Sequence, residues 1–379
     1  MNDKPFPVLG ILGGGQLGRM TALAAIRMGV GIRTLSPSPA GPVEGLGEAL
    51  VGDWNDPDVL RRFAEGCTAI TVESEWAPAE KLQPVLPEGV RLFPTPHTLS
   101  LIRHKGVQKS ALEAAGLPAA AFERCSDVES ARAAATRMGL PVVLKRYQGS
   151  YDGYGNATAR TLDDIDAAWP DLAGDDGLLV EAFVPFRQEL SVLVVRTDDG
   201  QMVCYPPAHT EQRDHRCHAV VVPAEISDTT RDRAVEVARA AAETVESVGV
   251  LGVELFETQD GDILLNELAP RPHNTGHYSI EGSHTSQFEN HARAVLGWPL
   301  GDPGLRAPVA VMVNILGTRA APVSSTTIPE SLTIPGVGIH LYGKKESRPR
   351  RKMGHVTVTG DDPVDVRTRA EKAASSIIL

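Results

Sequence analysis

Residues 7–35 constrain the fold of this chain more than any other stretch. An apolar run at 7–12 leads into Gly13-Gly14-Gly15-Gln16-Leu17-Gly18, residues 16–28 carry helical periodicity, and a second apolar run follows at 31–35. Strand, helix and strand in that order cannot close as a hairpin, because parallel neighbours need a crossover. The chain therefore opens as a βαβ unit on a parallel sheet. A helix at 56–64 and a strand at 69–72 that ends at Glu73 extend the alternation, and Pro94 and Pro96 place a first boundary near His97. The glycines sit where main-chain N–H groups at a helix start can receive a phosphate. A dinucleotide site also wants an acid ending the second strand to hold the ribose. Ser36-Pro37 stands there instead, which weakens a NAD-dependent dehydrogenase reading, and a tight turn that only packs helix on sheet explains the motif as well as anion binding does.

Downstream, 98–115 reads as one helix stopped by Gly116 and Pro118. A helix at 128–138, a strand at 141–145, a glycine-rich loop at 149–155, strands at 177–181 and 189–195 and a helix at 229–248 follow. Three prolines and two glycines within 299–308 mark a second boundary. The 379 residues thus divide into 1–97, 98–300 and 301–379, the last with short β-like runs and a final helix. A formal net charge of -11 argues against a general nucleic-acid or anionic-membrane binder, because phosphate contacts need a surplus of Lys and Arg. Cys67, Cys125, Cys204 and Cys217 are widely spaced, with no Cys-x-x-Cys pair, so neither zinc nor a disulfide framework is expected and a reducing cytosol fits best. No signal-peptide pattern and no run near the ~20 apolar residues of a membrane span is present. A cytoplasmic protein is expected.

Asp260-Gly261 joins the runs 252–257 and 263–268. In the two-residue hairpin that Asp-Gly favours, Gln259 faces Asp262 and, counting back, Glu254 faces Glu267. Directly opposed carboxylates repel, and a partly buried unpaired charge is costly. A divalent cation between them removes both objections, and oxygen ligands with Asn266 nearby suit Mg²⁺. Acids pointing to solvent are an equally good reading of this feature alone.

Four other segments carry chemistry. Lys145 ends an apolar strand just before the loop Gly149 to Asn156, where flexible backbone can close over phosphates while the lysine neutralises them; an exposed hairpin is the plainer reading. Lys105 and Lys109, one helical turn apart, look like a solvated face. Residues 178–184 end a buried strand in Glu181, with Glu189 beyond Pro185, so extended backbone there can meet an adenine edge and Glu189 a ribose. Ala269-Pro270-Arg271-Pro272-His273-Asn274-Thr275-Gly276-His277 brackets an arginine, two histidines and an asparagine with prolines; a fixed guanidinium beside a metal would bind a small planar oxyanion bidentately. The basic cluster at 343–355 lacks interleaved aromatics, so a phosphate monoester suits it better than nucleic acid.

Taken together, Gly13-Gly14-Gly15-Gln16-Leu17-Gly18-Arg19-Met20, Tyr151-Asp152-Gly153, Asn266-Glu267-Leu268-Ala269-Pro270-Arg271, His273-Asn274 and Arg351-Lys352-Met353-Gly354-His355 resemble, in order and along nearly the whole chain, the 5-(carboxyamino)imidazole ribonucleotide synthases, a family of ATP-grasp enzymes. The resemblance implies a mixed α/β and α+β fold with a Rossmann-like N-terminal domain, a central ATP-grasp domain and a small β-rich C-terminal domain. It implies a homodimer and a reaction in which ATP with Mg²⁺, bicarbonate and 5-aminoimidazole ribonucleotide give the N-carboxylated nucleotide through carboxyphosphate, in purine biosynthesis. For ATP it implies Lys105, Lys145, Ser150, Tyr151, Asp152, Gly153, Tyr154, Gly155, Asn156, Glu181, Ala182, Phe183, Val184, Glu189, Gln212, Asn266 and Glu267. Glu254 and Glu267 match the metal carboxylates, and Arg271, His273 and Asn274 fall where bicarbonate or carboxyphosphate lies. Gln16, Leu17, Glu73 and Tyr151 resemble contacts to the ribonucleotide, whose phosphate reaches Lys345, Arg351 and Lys352. Tyr154 departs from the Lys or Arg usual in the loop, and Val72-Glu73-Ser74-Glu75-Trp76 departs from Tyr-Glu-Phe-Glu-Asn while keeping both acids. The nearest rival, a formate-using glycinamide ribonucleotide transformylase, is disfavoured by His273-Asn274 after the arginine.

Overall fold

A computed structural model of the chain describes residues 6–38, 41–149, 154–213, 216–324 and 326–379. The opening βαβ unit grows into a five-stranded sheet in the order Glu48–Val51, Gly31–Ser36, Val8–Leu12, Ala69–Val72, Arg91–Phe93, and every pairing is parallel. Val8–Leu12 lies at its centre, where both faces are covered and an unbroken apolar run is needed. The helix Gln16–Arg27 starts at once from the glycine turn and ends one residue earlier than its periodicity suggests, because Gly29 takes a positive φ of 78°.

The expected single helix at 98–115 is two, Pro96–Arg103 and Lys105–Ala114. His104 leaves helical geometry between them, and its imidazole Nδ1 accepts from the Val107 N–H, capping the second helix. Beyond it, a four-stranded antiparallel sheet runs Phe122–Cys125, Leu178–Ala182, Val142–Arg146, Asn156–Ala159. Helices Val128–Met138 and Leu162–Leu172 cover one face through a core that includes Ala131, Ala135, Leu144, Ile165 and Val180. Both open on capping boxes, from Asp127 and from Thr161.

The second sheet of this region is much larger. Its main path runs Ile263–Ala269, Gly249–Thr258, Phe186–Arg196, Ala208–Arg213, Arg216–Val222, Val309–Leu316, Lys352–Gly360, Val337–Leu341. It therefore crosses the proline-marked stretch near residue 300 without a break, Arg216–Val222 pairing with Val309–Leu316. The helix Asp228–Thr244 packs Ala234, Val237, Ala238 and Ala241 against one face. The sequence extends this helix to 248, but Glu246 and Gly249 take positive φ and end it early. A bridge between Ala119 and Leu265 and a hydrogen bond from Lys145 Nζ to Asn266 Oδ1 at 3.1 Å join the two antiparallel sheets across a cleft. Among the described residues no helix is long and apolar enough to cross a membrane.

Candidate active site

The carboxylate hairpin reaches its expected pairing by an unexpected route. Its closing residues are Thr258 and Asp262, with Thr258 N–H donating to the Asp262 carbonyl at 2.9 Å, and Gly261 takes the positive φ (86°) of a three-residue loop. That register is one residue off the two-residue hairpin, so Glu257 faces Ile263 and Leu255 faces Leu265. A β-bulge at Asn266 then restores it, and Glu254 does face Glu267. The bulge has a chemical result: it breaks the alternation so that Leu265 and Leu268 both enter the core while Asn266 and Glu267 both turn to the cleft.

Burial, reinforced by the charge of Glu267, pushes the Glu254 carboxyl up to about 7. Burial acts on Glu267 too, but Lys105, whose Nζ lies 2.8 Å from its Oε2, holds that carboxyl below its ordinary value. A pair that cannot comfortably ionise together suits a divalent cation with oxygen ligands. Among the described residues no cluster of three or more His, Cys, Asp or Glu is arranged to hold a metal.

Lys105 and Lys109 are both buried, contrary to the solvated face expected of them. The break at His104 turns this helix so that Lys105 meets Glu267 while Lys109 meets Glu181 at 3.2 Å and the Leu265 carbonyl at 3.2 Å. Lys145 meets Glu181 from the other side at 2.9 Å. Glu181 is thus a buried counter-ion between two lysines. The linker that follows it, Ala182, Phe183 and Val184, has already committed its Ala182 N–H to Ala121 and its Phe183 N–H to Pro141. Glu189 accepts from Gln212 Nε2 at 3.0 Å on the cavity wall. Asn156 opens its strand opposite Lys145 and lines the same wall. Gly155 accepts from the Arg146 N–H, and Tyr154 is exposed beneath the Arg146 guanidinium. Ser150, Tyr151, Asp152 and Gly153 lie outside the described residues.

A cavity of about 500 Å³ gathers Gln16, Leu17, Glu73, Lys105, Glu254, Asn266, Glu267, Arg271, His273, Asn274 and Lys352 on one wall system. Arg271 forms a fork on Glu75, Nε to Oε2 at 2.6 Å and Nη2 to Oε1 at 3.2 Å. Burial, then Arg271 and Lys352, pulls His273 down to about 3, so it is neutral at physiological pH. Its Nδ1 sits 2.9 Å from Thr275 Oγ1, itself 2.6 Å from Ser191 Oγ, and its Nε2 lies 3.5 Å from Glu254. Asn274 exchanges amide hydrogen bonds with Asn314. Lys345 and Arg351 are not on this wall: Lys345 pairs with Glu44 at 3.1 Å and Arg351 donates to the Glu346 carbonyl at 2.9 Å.

The glycine turn holds no room for a nucleotide phosphate. Glu73 fills the helix start, accepting from the Gly15 N–H, and a Cβ on Gly15 would lie 2.0 Å from its Oε1. The anion that the helix N-terminus favours is supplied by the protein. Sequence reading also missed Gln287, fully buried, whose amide accepts from the His273 N–H at 2.9 Å and donates to the His273 carbonyl at 2.8 Å, fixing the backbone between Arg271 and His277. A lone glutamine in a helix start carries no local signal of such a role.

Two antiparallel sheets closing on buried lysines and a carboxylate pair, beside a parallel domain, define an ATP-grasp enzyme. The matched families agree, with a ribonucleotide synthetase preATP-grasp domain over residues 7–103, an ATP-grasp domain over 110–288 and a phosphoribosylaminoimidazole carboxylase C-terminal domain over 310–369. The N5-carboxyaminoimidazole ribonucleotide synthase of Mycobacterium tuberculosis is 41% identical over 97% of this chain and 87% of its own length. The phosphoribosylaminoimidazole carboxylase of Schizosaccharomyces pombe is 42% identical over 97% of this chain, which spans 67% of that longer protein. The structure of the N5-carboxyaminoimidazole synthase from Aspergillus clavatus, in complex with ADP and 5-aminoimidazole ribonucleotide, superposes with a TM-score of 0.89 at 33% identity, covering 98% of both chains. The chain belongs to the N5-carboxyaminoimidazole ribonucleotide synthase family, and it is a ligase-type enzyme.

Proposed function

We propose that this enzyme carboxylates the exocyclic amine of 5-aminoimidazole ribonucleotide, using ATP, Mg²⁺ and bicarbonate, in purine biosynthesis. The observation that carries this reading is the placement of the Arg271 guanidinium on the same cavity wall as the Glu254–Glu267 pair. This supports reading the guanidinium as a seat for a small planar anion beside carboxylates that would hold a metal. Bicarbonate is a poor electrophile, and phosphorylation to carboxyphosphate gives it a leaving group. Lys105 and Lys145 neutralise the transferring phosphoryl group, Glu254 and Glu267 would hold Mg²⁺, and Glu181, Ala182, Phe183, Val184, Glu189 and Gln212 receive the nucleoside. Arg271, His273 and Asn274 hold the carboxyphosphate, and a neutral His273 faces the amine without competing as a cation. Gln16, Leu17, Glu73 and Lys352 take the ribonucleotide, and the family resemblance, not the cavity lining, assigns Lys345 and Arg351 to its phosphate.

The same proposal includes units at 1–97, 98–300 and 301–379 and a cytoplasmic homodimer, the latter open to light scattering. ADP release is the test: it should require both bicarbonate and 5-aminoimidazole ribonucleotide. Equal release with glycinamide ribonucleotide and formate would overturn the assignment in favour of an acyl-phosphate relative.

A further inference from the structure

We infer that Glu75 is a positioning residue, which fixes Arg271 so that one defined edge of the guanidinium meets the bicarbonate-derived anion. The inference rests on the bicarbonate reading above. A guanidinium offers two edges for a planar fork, Nε with Nη2 and Nη1 with Nη2. Glu75 occupies the first, at 2.6 and 3.2 Å. Among the described residues the second carries only a 3.5 Å contact from Nη1 to the Pro272 carbonyl. Both partners line the cavity and both are half-buried. The pair also crosses the molecule: Glu75 follows the strand Ala69–Val72 of the parallel sheet, while Arg271 follows Ile263–Ala269 of the antiparallel one. The domain that receives the ribonucleotide thereby sets the angle of the group that receives the anion. Burial would raise the Glu75 carboxyl, yet Arg271 holds it below the ordinary range, so the charge of Glu75 persists at working pH.

The test is Glu75→Gln, which keeps shape but loses the charge and one acceptor of the fork. Its KM for bicarbonate should rise about ten- to a hundredfold, the scale of a misplaced reacting group, while KM for ATP and for 5-aminoimidazole ribonucleotide stays within about twofold. In the Arg271→Lys background, where no fork exists, Glu75→Gln should add almost nothing. Glu75→Asp, which retains the charge, should keep more bicarbonate affinity than the amide and covers the case of poor folding. An unchanged bicarbonate KM, an equal rise for the ribonucleotide, or strictly additive losses would each overturn the role given to Glu75. Absence of bicarbonate dependence in the unaltered enzyme would instead overturn the functional reading, and the inference with it. That outcome is seen before any variant is assayed.

Discussion

Glu181→Gln is the substitution whose cost the structure fixes best. The carboxylate lies 2.9 Å from Lys145 Nζ and 3.2 Å from Lys109 Nζ, and no side chain of the three keeps more than 11% of its surface exposed. At an effective dielectric of about 20, each contact supplies roughly 5 kcal/mol of attraction, which is what holds two ammonium groups together out of water. The amide keeps the shape and removes the charge, so burial and mutual repulsion then act on the lysines unopposed. Burial already pulls Lys109 down to about 8 against the opposing pull of Glu181. Without Glu181 it sheds its proton nearer neutrality. That escape caps the loss, since neutralising an ordinary lysine at pH 7 costs about 5 kcal/mol at ~1.36 kcal/mol per pKa unit. The expected destabilisation at pH 7 is about 3–5 kcal/mol.

The pH dependence has a definite sign. A lysine whose folded pKa is depressed binds fewer protons folded than unfolded, so its contribution to stability rises with pH above the folded pKa and is lost as pH falls through it. In the unaltered protein that rise begins near 8; in the variant it begins lower. The deficit of Glu181→Gln should therefore be largest on the acid side and shrink as pH rises toward about 8. Urea unfolding of both proteins at pH 6, 7 and 8 measures it. A deficit under about 1 kcal/mol at pH 7, or one flat across that range, would refute the reasoning.

Four further outcomes are expected. Glu267→Gln should nearly abolish turnover, because one of the two carboxylates proposed to hold the metal is lost, and should also lower stability, because Lys105 loses its ion-pair partner; wild-type activity at low Mg²⁺ would count against the metal assignment. Lys352→Ala should raise the requirement for 5-aminoimidazole ribonucleotide with little effect on ATP, and separate titrations distinguish this from an equal loss toward both. His273→Ala should impair carboxylation while ATP still binds, and Arg271→Ala should be worse because it removes the fixed charge; full carboxylation by His273→Ala at low bicarbonate would make the histidine structural.

What the sequence made legible is what depends on near neighbours. The βαβ opening follows from runs a few residues apart, and the Glu254–Glu267 pairing follows from an Asp-Gly turn and a pleat. Even there, two errors cancelled: the loop is a residue longer than assumed and the bulge at Asn266 absorbs the difference. Partners distant in sequence left no local trace. Lys109 looks solvated on a helical wheel because Glu181 and Leu265, which bury it, come from other strands. Glu75 and Gln287 act on Arg271 and His273 across 196 and 14 positions. The proline-rich stretch near 300 reads as a boundary, yet strand pairing carries the large sheet past it, since edge hydrogen bonds between Arg216–Val222 and Val309–Leu316 are invisible to composition.

The distribution of charge in the cleft explains why the proposed reaction needs a cation at the binding stage. Lys105 is matched by Glu267, Lys109 and Lys145 by Glu181, and Arg271 by Glu75. Glu189, and Glu254 to the extent that it ionises, add negative charge to the same cavity. A triphosphate entering alone would meet carboxylates as well as ammonium groups, and in a partly desolvated site that repulsion is weakly screened. Glu254 and Glu267 would hold a divalent cation that discharges the opposed pair, and Lys105 would then be released from Glu267 toward phosphate. On the proposed reading the matched pairs would serve as a store of cations that ligand binding redirects. Arg271 is the exception in this exchange, because its second fork lets it take the anion without giving up Glu75.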